Sequence, residues 1–153
     1  MGGDVFKNIL IPTDGSALSR RAVERAIRLA KQQKARVTGL WVGPAWEPNL
    51  YAYGESVPAG FVSRKQHSEH VRSAGARHLR AVREAAAAAG VRCTCTTVEG
   101  AFPYLEIVKV ARREGCDLIV MASHSRSGIS RLLLGSQTSR VLALADVPVL
   151  VCR

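Results

Sequence analysis

The sequence predicts an α/β fold: a parallel sheet with helices on both of its faces. Three observations lead there. Hydrophobic periodicity switches back and forth between short apolar runs of strand length and longer stretches with a helical stripe. Strand and helix alternate along the chain, as successive βαβ units do. Two of the strand runs lead into loops rich in Asp, Gly and Ser, at the carboxyl ends where such sheets hold ligands. At 153 residues the chain has the length of one domain, expected over residues 1–153, and can bury a core without disulfides or metals.

The elements follow in order. "VFKNILIP" (residues 5–12) is a short apolar run that stops at Pro12, Asp14 and Gly15. "GSALSRRAVERAIRLAKQQK" places Leu18, Ala22, Val23, Ala26, Ile27, Leu29 and Ala30 on one helical face. Ser16 is its expected N-cap, because a serine oxygen accepts from the unpaired N–H groups of a first turn. "ARVTGLWV" (residues 35–42) returns to strand character. Residues 43–60 mix prolines, glycines and the rings of Trp46, Tyr51 and Tyr53. They read as a long loop with packed rings, or alternatively as a lid or partner surface. A helix with no marked start then closes in "HLRAVREAAAAAG", with Leu79, Val82, Ala86 and Ala89 on one face and Gly90 as its stop. "VRCTCTTV" (residues 91–98) alternates like a half-exposed edge strand. "FPYLEIVKVARREG" is a helix with Pro103 near its first position, where a missing N–H costs nothing; neither Ala101 nor Phe102 is a good cap. "DLIVMA" is a buried strand, "SQTSRVLALA" a short helix, and "VPVLVCR" a last strand.

Composition excludes several classes. An apolar share of 47% is that of a globular protein, and the apolar runs are too short to span a membrane. "MGGDVFKN" lacks a charged segment followed by an apolar core, so a cytoplasmic location is expected. The net charge is +10, but the arginines are spread along the chain, which fits solvated helix faces better than a nucleic-acid surface. Among the cysteines, "CTC" (Cys93 and Cys95) is not a zinc spacing; with Cys116 and Cys152 it is read as small buried hydrophobes. His67, Glu69 and His70 are expected to face solvent. Ser125, Ser136 and His124 lack the third orienting group of a nucleophile–base pair.

Two loops carry the candidate chemistry: "PTDGS" after the first strand and "SHSRSGISRLLLGSQT" after the fourth. Neither a G-x-x-x-x-G-K-[ST] loop nor a G-x-G-x-x-G turn is present. Gly128 remains, and Gly135-Ser136 at a helix start, where unpaired N–H groups and the dipole suit an anion. The alternative is a crossover loop with a capped helix. Asp14 can accept from a ribose diol or cap the first helix.

Together "ILIPTDGSALSRRAVERAIRLA" and "DLIVMASHSRSGISRLLLGSQTSRVLALADVPVLVCR" resemble the universal stress protein family. The resemblance covers nearly the whole chain, with residues 43–60 its least diagnostic part. It implies a Rossmann-like, adenine-nucleotide alpha-hydrolase-like sheet of five parallel strands in the order 3-2-1-4-5. It also implies a cytoplasmic homodimer joined through the C-terminal strand, Val147 to Cys152. Nucleotide-binding members carry G-x2-G-x9-G-[ST]. Here Ala122 and Ser125 stand at the first two glycines, and Gly135 and Ser136 match the end. By position, Asp14 takes the ribose, close to Ala122; Pro12, Thr13, Val42 and Met121 border the adenine; Ser123, Ser125, Gly135, Ser136 and Gln137 face the phosphates, with Gly128 in the same loop. His124, Arg126 and Arg131 are neighbouring donors. The implied ligand is ATP or another adenine nucleotide, with or without Mg2+. Hydrolysis is expected to be slow or absent, because no general base and no Walker-type lysine is evident. The alternative, favoured by Ala122 and Ser125, is a nucleotide-free homodimeric interaction module.

Overall fold

A computed structural model describes residues 5–47, 63–123 and 134–153. Its strands are β1 (Asn8–Pro12), β2 (Arg36–Gly43), β3 (Cys93–Glu99), β4 (Leu118–Ala122) and β5 (Val149–Cys152). β1 and β4 bury both of their faces, which suits a sheet whose crossovers are helices, whereas the edge strands β3 and β5 are only partly buried. All pairings are parallel, and the order is β3-β2-β1-β4-β5, as expected. β1 lies at the centre, with Leu10 opposite both Thr38 and Ile119.

Strand alternation divides the core in two. Ile9, Ile11, Val37, Leu118 and Val120 point to one side, against Ala22, Val23, Ala26 and Ile27 of α1 (Ala17–Gln32) and Val82 and Ala86 of α3 (Arg80–Ala89). Leu10, Leu40, Ile119 and Met121 point to the other, against Ile107 and Val110 of α4 (Pro103–Arg113) and Val141 of α5 (Ser136–Leu144). Burying one such aliphatic side chain contributes about 1.5–3 kcal/mol.

Local signals set the helix ends. Ser16 caps α1 by accepting from Ser19 N–H at 3.1 Å. The helix without a marked start begins at Arg64. Ser63 and Gln66 form a reciprocal capping box at the head of α2 (Arg64–His78). Its stripe continues into α3 through a one-residue break at Leu79, which is 1% exposed. Gly75 brings α2 close to β3: a Cβ there would lie 2.1 Å from Thr97 Oγ1. The first strand is shorter than the apolar run from residue 5. The N–H groups of Val5 and Phe6 go to the Gln33 side chain, and those of Lys7 and Asn8 to the Asp117 carboxylate, rather than to a strand ladder. The last strand likewise spans only Val149–Cys152. No helix among the described residues is long and apolar enough to cross a membrane.

Candidate functional site

From β1 the chain crosses over to β2 on one side, and β4 pairs on the other. That reversal leaves a crevice beyond the carboxyl ends of the strands. It holds a cleft of about 660 Å³, within the ~300–1,000 Å³ of small-molecule sites. Pro12, Thr13 and Asp14 line it from the end of β1, Val42 from β2, Met121 and Ala122 from β4, and Gly135, Ser136 and Gln137 from the head of α5. Ser125 and Gly128 lie outside the described residues, as do His124, Arg126, Arg131, Tyr51 and Tyr53.

The turn after β1 is built by its own short side chains. Thr13 N–H donates to Leu40 O at 2.9 Å, continuing the ladder. Thr13 Oγ1 accepts from Gly15 N–H at 3.1 Å. Gly15 takes a φ of +78°, which glycine adopts without a Cβ penalty. Asp14 Oδ1 then accepts from Ser16 N–H at 2.9 Å and from Ser19 Oγ at 2.6 Å. Asp14 therefore braces the start of α1 while lining the cleft, although the capping oxygen is that of Ser16.

The opposite wall is the head of α5. Gly135 is its N-cap, and among the described residues no side chain caps it. Ser123, at the end of β4, does not line the cleft. Its Oγ accepts from Gly135 N–H at 3.1 Å, and its own N–H donates to Cys152 O at 3.0 Å. Thr138 Oγ1 donates to Ala122 O at 3.4 Å. Gln137 Oε1 accepts from Tyr104 N–H at 3.1 Å, supplying from α5 the cap that Ala101 and Phe102 do not provide for α4. The Arg140 guanidinium lies 5.0 Å from the centre of the Tyr104 ring.

Further lining comes from Ser19, Leu40, Trp41, Pro103, Ile107, Leu134 and Thr138. Leu40 was within reach of the strand period, two residues before Val42 on the same face. Ser19 and Thr138 are buried hydroxyls whose partners come from the folded turns, and Pro103 and Ile107 reach the cleft only through the sheet order. The Trp41 ring stacks on His78, with centroids 4.9 Å apart.

The other clusters take different places. His67 Nε2 lies 2.9 Å from Pro44 O and 3.8 Å from Glu99 Oε2, while Glu69 and His70 are exposed. Cys116 and Cys152 are buried, as read from sequence. Cys93 and Cys95 are only half-buried, because the edge strand that carries them has a neighbour on one side alone.

A doubly wound parallel sheet with a mixed apolar and polar cleft at its switch point is the architecture in which α/β proteins seat small ligands. The family model described as "Universal stress protein family" matches residues 6–153, and the chain belongs to that family. A universal stress protein of Methanocaldococcus jannaschii is 36% identical over 152 residues, 99% of this chain and 85% of that one. The solved structure of a second protein of the same organism superimposes with a TM-score of 0.73 at 28% identity, covering 95% of this chain and 94% of the other. A universal stress protein solved in complex with cAMP superimposes with a TM-score of 0.68 at 25% identity, covering 97% of each chain.

Proposed function

We propose that the protein is a cytoplasmic, homodimeric regulator that binds an adenine nucleotide, ATP foremost, between the turn after β1 and the head of α5. The observation that carries this reading is the division of the cleft. Pro12, Leu40, Val42, Ile107 and Met121 offer an apolar wall suited to a purine. Asp14 stands at one end of it with an acceptor suited to a ribose diol. At the other end is a helix N-terminus with no side-chain cap, whose N–H groups at Ser136, Gln137 and Thr138 suit an anion. The relative solved with cAMP supports a nucleotide of this class.

The half-kept motif fits the same ligand. Ala122 lies in β4 opposite Cys152, and Lys34 is the one non-glycine residue with positive φ among those described. Position 122 therefore does not need glycine's backbone freedom. Mg2+ would arrive with the phosphates, and hydrolysis would be slow or absent. Leu142, Leu144 and Leu150 are each more than 40% exposed around the outer strand β5, which supports a homodimer through that edge.

Titration calorimetry with ATP and with AMP tests the reading, beside mass spectrometry of nucleotide released from denatured, purified protein. Saturable heat with ATP, weakened by Asp14→Ala, is the expected result. No heat at millimolar ligand, together with no co-purifying nucleotide, would favour the nucleotide-free homodimeric module to which Ala122 and Ser125 point.

A further inference from the structure

Away from the cleft, we infer that the outer face of α1, α2 and α3 is a docking surface for the phosphate backbone of a nucleic-acid duplex. Basic residues that are spread along the chain are gathered there by the fold. α1 and α3 together cover one side of the sheet. α2 packs on that side too. Gly39, Trp41 and Gly43 share one face of β2; Trp41 stacks on His78, and Cβ atoms at Gly39 and Gly43 would meet Val82 and Val71. α1 carries five basic residues and one acid, α2 four and one, and α3 two and one, a net +8 on this side. On the other side α4 carries three basic residues and one acid, and α5 one basic residue, a net +3.

The two sides also differ in how their charges are met. On α4, Lys109, Arg112 and Arg113 each pair with a carboxylate, those of Glu106, Asp146 and Glu114. Across the sheet, Arg21, Arg25 and Arg28 of α1 and Arg72 of α2 are exposed and make no ion pair among the described residues. Arg21, Arg25 and Arg28 follow one another at helical spacings of four and three, so they stand in one row. Like charges at those spacings repel, and an anion laid along the row relieves them.

The chemistry of the face selects the occupant. The row rises about 10.5 Å at ~1.5 Å per residue, the axial reach of about three phosphates on one strand of a duplex at ~3.4 Å each. Guanidinium forks match phosphate oxygens in pairs. α1, α2 and α3 contain no Phe, Tyr or Trp, so they offer no ring on which the bases of a single strand could stack. Membrane surfaces take up exposed apolar side chains. The large ones among the described residues are Val5, Phe102, Leu142, Leu144 and Leu150, and none lies on these three helices. What the face offers is phosphate contact without base readout, independent of sequence and steep in salt.

Fluorescence anisotropy of labelled DNA and RNA duplexes of about 20 base pairs, titrated with the full-length chain at about 50 to 200 mM salt, tests this. With about three to five phosphates neutralised, log K should fall against log salt with a slope of about −3 to −4.5, unchanged when the base sequence is shuffled. Binding to either duplex supports the inference, and the tighter one identifies the source. Arg21→Gln, Arg25→Gln and Arg28→Gln together keep good helix formers in α1 and should flatten the slope by about 2.7. The same change at Lys109, Arg112 and Arg113 should leave it as it was. No duplex binding at about 100 µM protein in the lowest salt would overturn the inference. So would equal losses in the two triple variants, or binding confined to phosphatidylserine–phosphatidylcholine vesicles or to polyglutamate. If the α1 variant does not fold, phenylglyoxal modification of the wild-type chain decides: the duplex should protect Arg21, Arg25 and Arg28, and an unchanged rate at all three would overturn the proposal.

Discussion

Gly15→Ala should destabilise the protein by about 2 kcal/mol, and about half of that should pass through His78. Gly15 has φ +78°, where an L-residue costs about 1–2 kcal/mol. An added Cβ would also lie 2.4 Å from His78 Nδ1, too close to be tolerated without movement. The ring can move only by leaving its stack on Trp41, with centroids 4.9 Å apart and planes 14° from parallel, a pair worth about 0.5–1.5 kcal/mol. Against this, alanine restricts the unfolded chain and returns about 0.4–1 kcal/mol. The midpoints sum to about 2 kcal/mol, or a shift of about 1 M in the urea midpoint for a slope near 2 kcal/mol/M. In a His78→Ala background no ring is left to displace. There Gly15→Ala should cost only about 1 kcal/mol, so a double-mutant cycle should show a coupling of about 1 kcal/mol. Urea unfolding of the four proteins measures this. Equal costs in the two backgrounds would refute the steric reasoning, and a cost near zero in the wild type would refute the backbone reasoning as well.

The other predictions concern the cleft, the α2 docking and the alkaline limb. Asp14→Ala should weaken ATP by about 10- to 100-fold in calorimetry, the value of a hydrogen bond to a charged group; unchanged affinity would detach the carboxylate from the ligand. Gly75→Ala should destabilise and Thr97→Ala should partly rescue it, because the added Cβ meets Thr97 Oγ1 at 2.1 Å; urea midpoints without rescue would show that α2 is held elsewhere. Ser63→Ala should cost about 1 kcal/mol by removing the cap of α2, and an unchanged midpoint would mean that the capping box is dispensable. Burial raises Cys116 from 9.0 to about 11, so the folded state favours the protonated thiol. That contribution is complete below the unfolded value and is lost as pH rises from about 9 to 11. Cys116→Ala should make stability less steep in that window, and an identical alkaline slope would remove Cys116 as its source.

The legible parts of the fold were those governed by local period. Ala22, Val23, Ala26, Ile27 and Ala30 are buried in α1 as the stripe requires, whereas Leu18 and Leu29 at its margins are only partly buried. "VRCTCTTV" read as a half-exposed edge, and β3 lies at one edge of the sheet. The start of α2 was legible but was missed: "SRKQ" carries the serine-to-glutamine spacing of a capping box at Ser63 and Gln66. The true length of β1 was not legible. It depends on Gln33 and Asp117, whose side chains reach the N–H groups of residues 5–8 only after the chain has folded.

The candidate site divides along the same line between local and long-range causes. "PTDGS" already contains the donors and acceptors of its own turn, so Thr13, Asp14, Gly15 and Ser16 could be placed from sequence. The two ends of the fourth loop could not be read that way, because Ser123 and Gln137 find partners in other elements. Ser123 matches a phosphate-facing position, yet its hydroxyl oxygen accepts from Gly135 N–H and its N–H donates to Cys152 O. Gln137 matches another, yet its carbonyl oxygen caps α4 at Tyr104. Both side chains fasten the head of α5 to its neighbours, and the proposed anion seat rests on the backbone N–H groups of that helix start. Such a seat depends on where α5 begins more than on which polar side chains surround it. On the proposed reading, alanine at position 122 is compatible with such a seat: it ends a regular strand with no need for positive φ, while Gly135 and Ser123 fix the start of the helix.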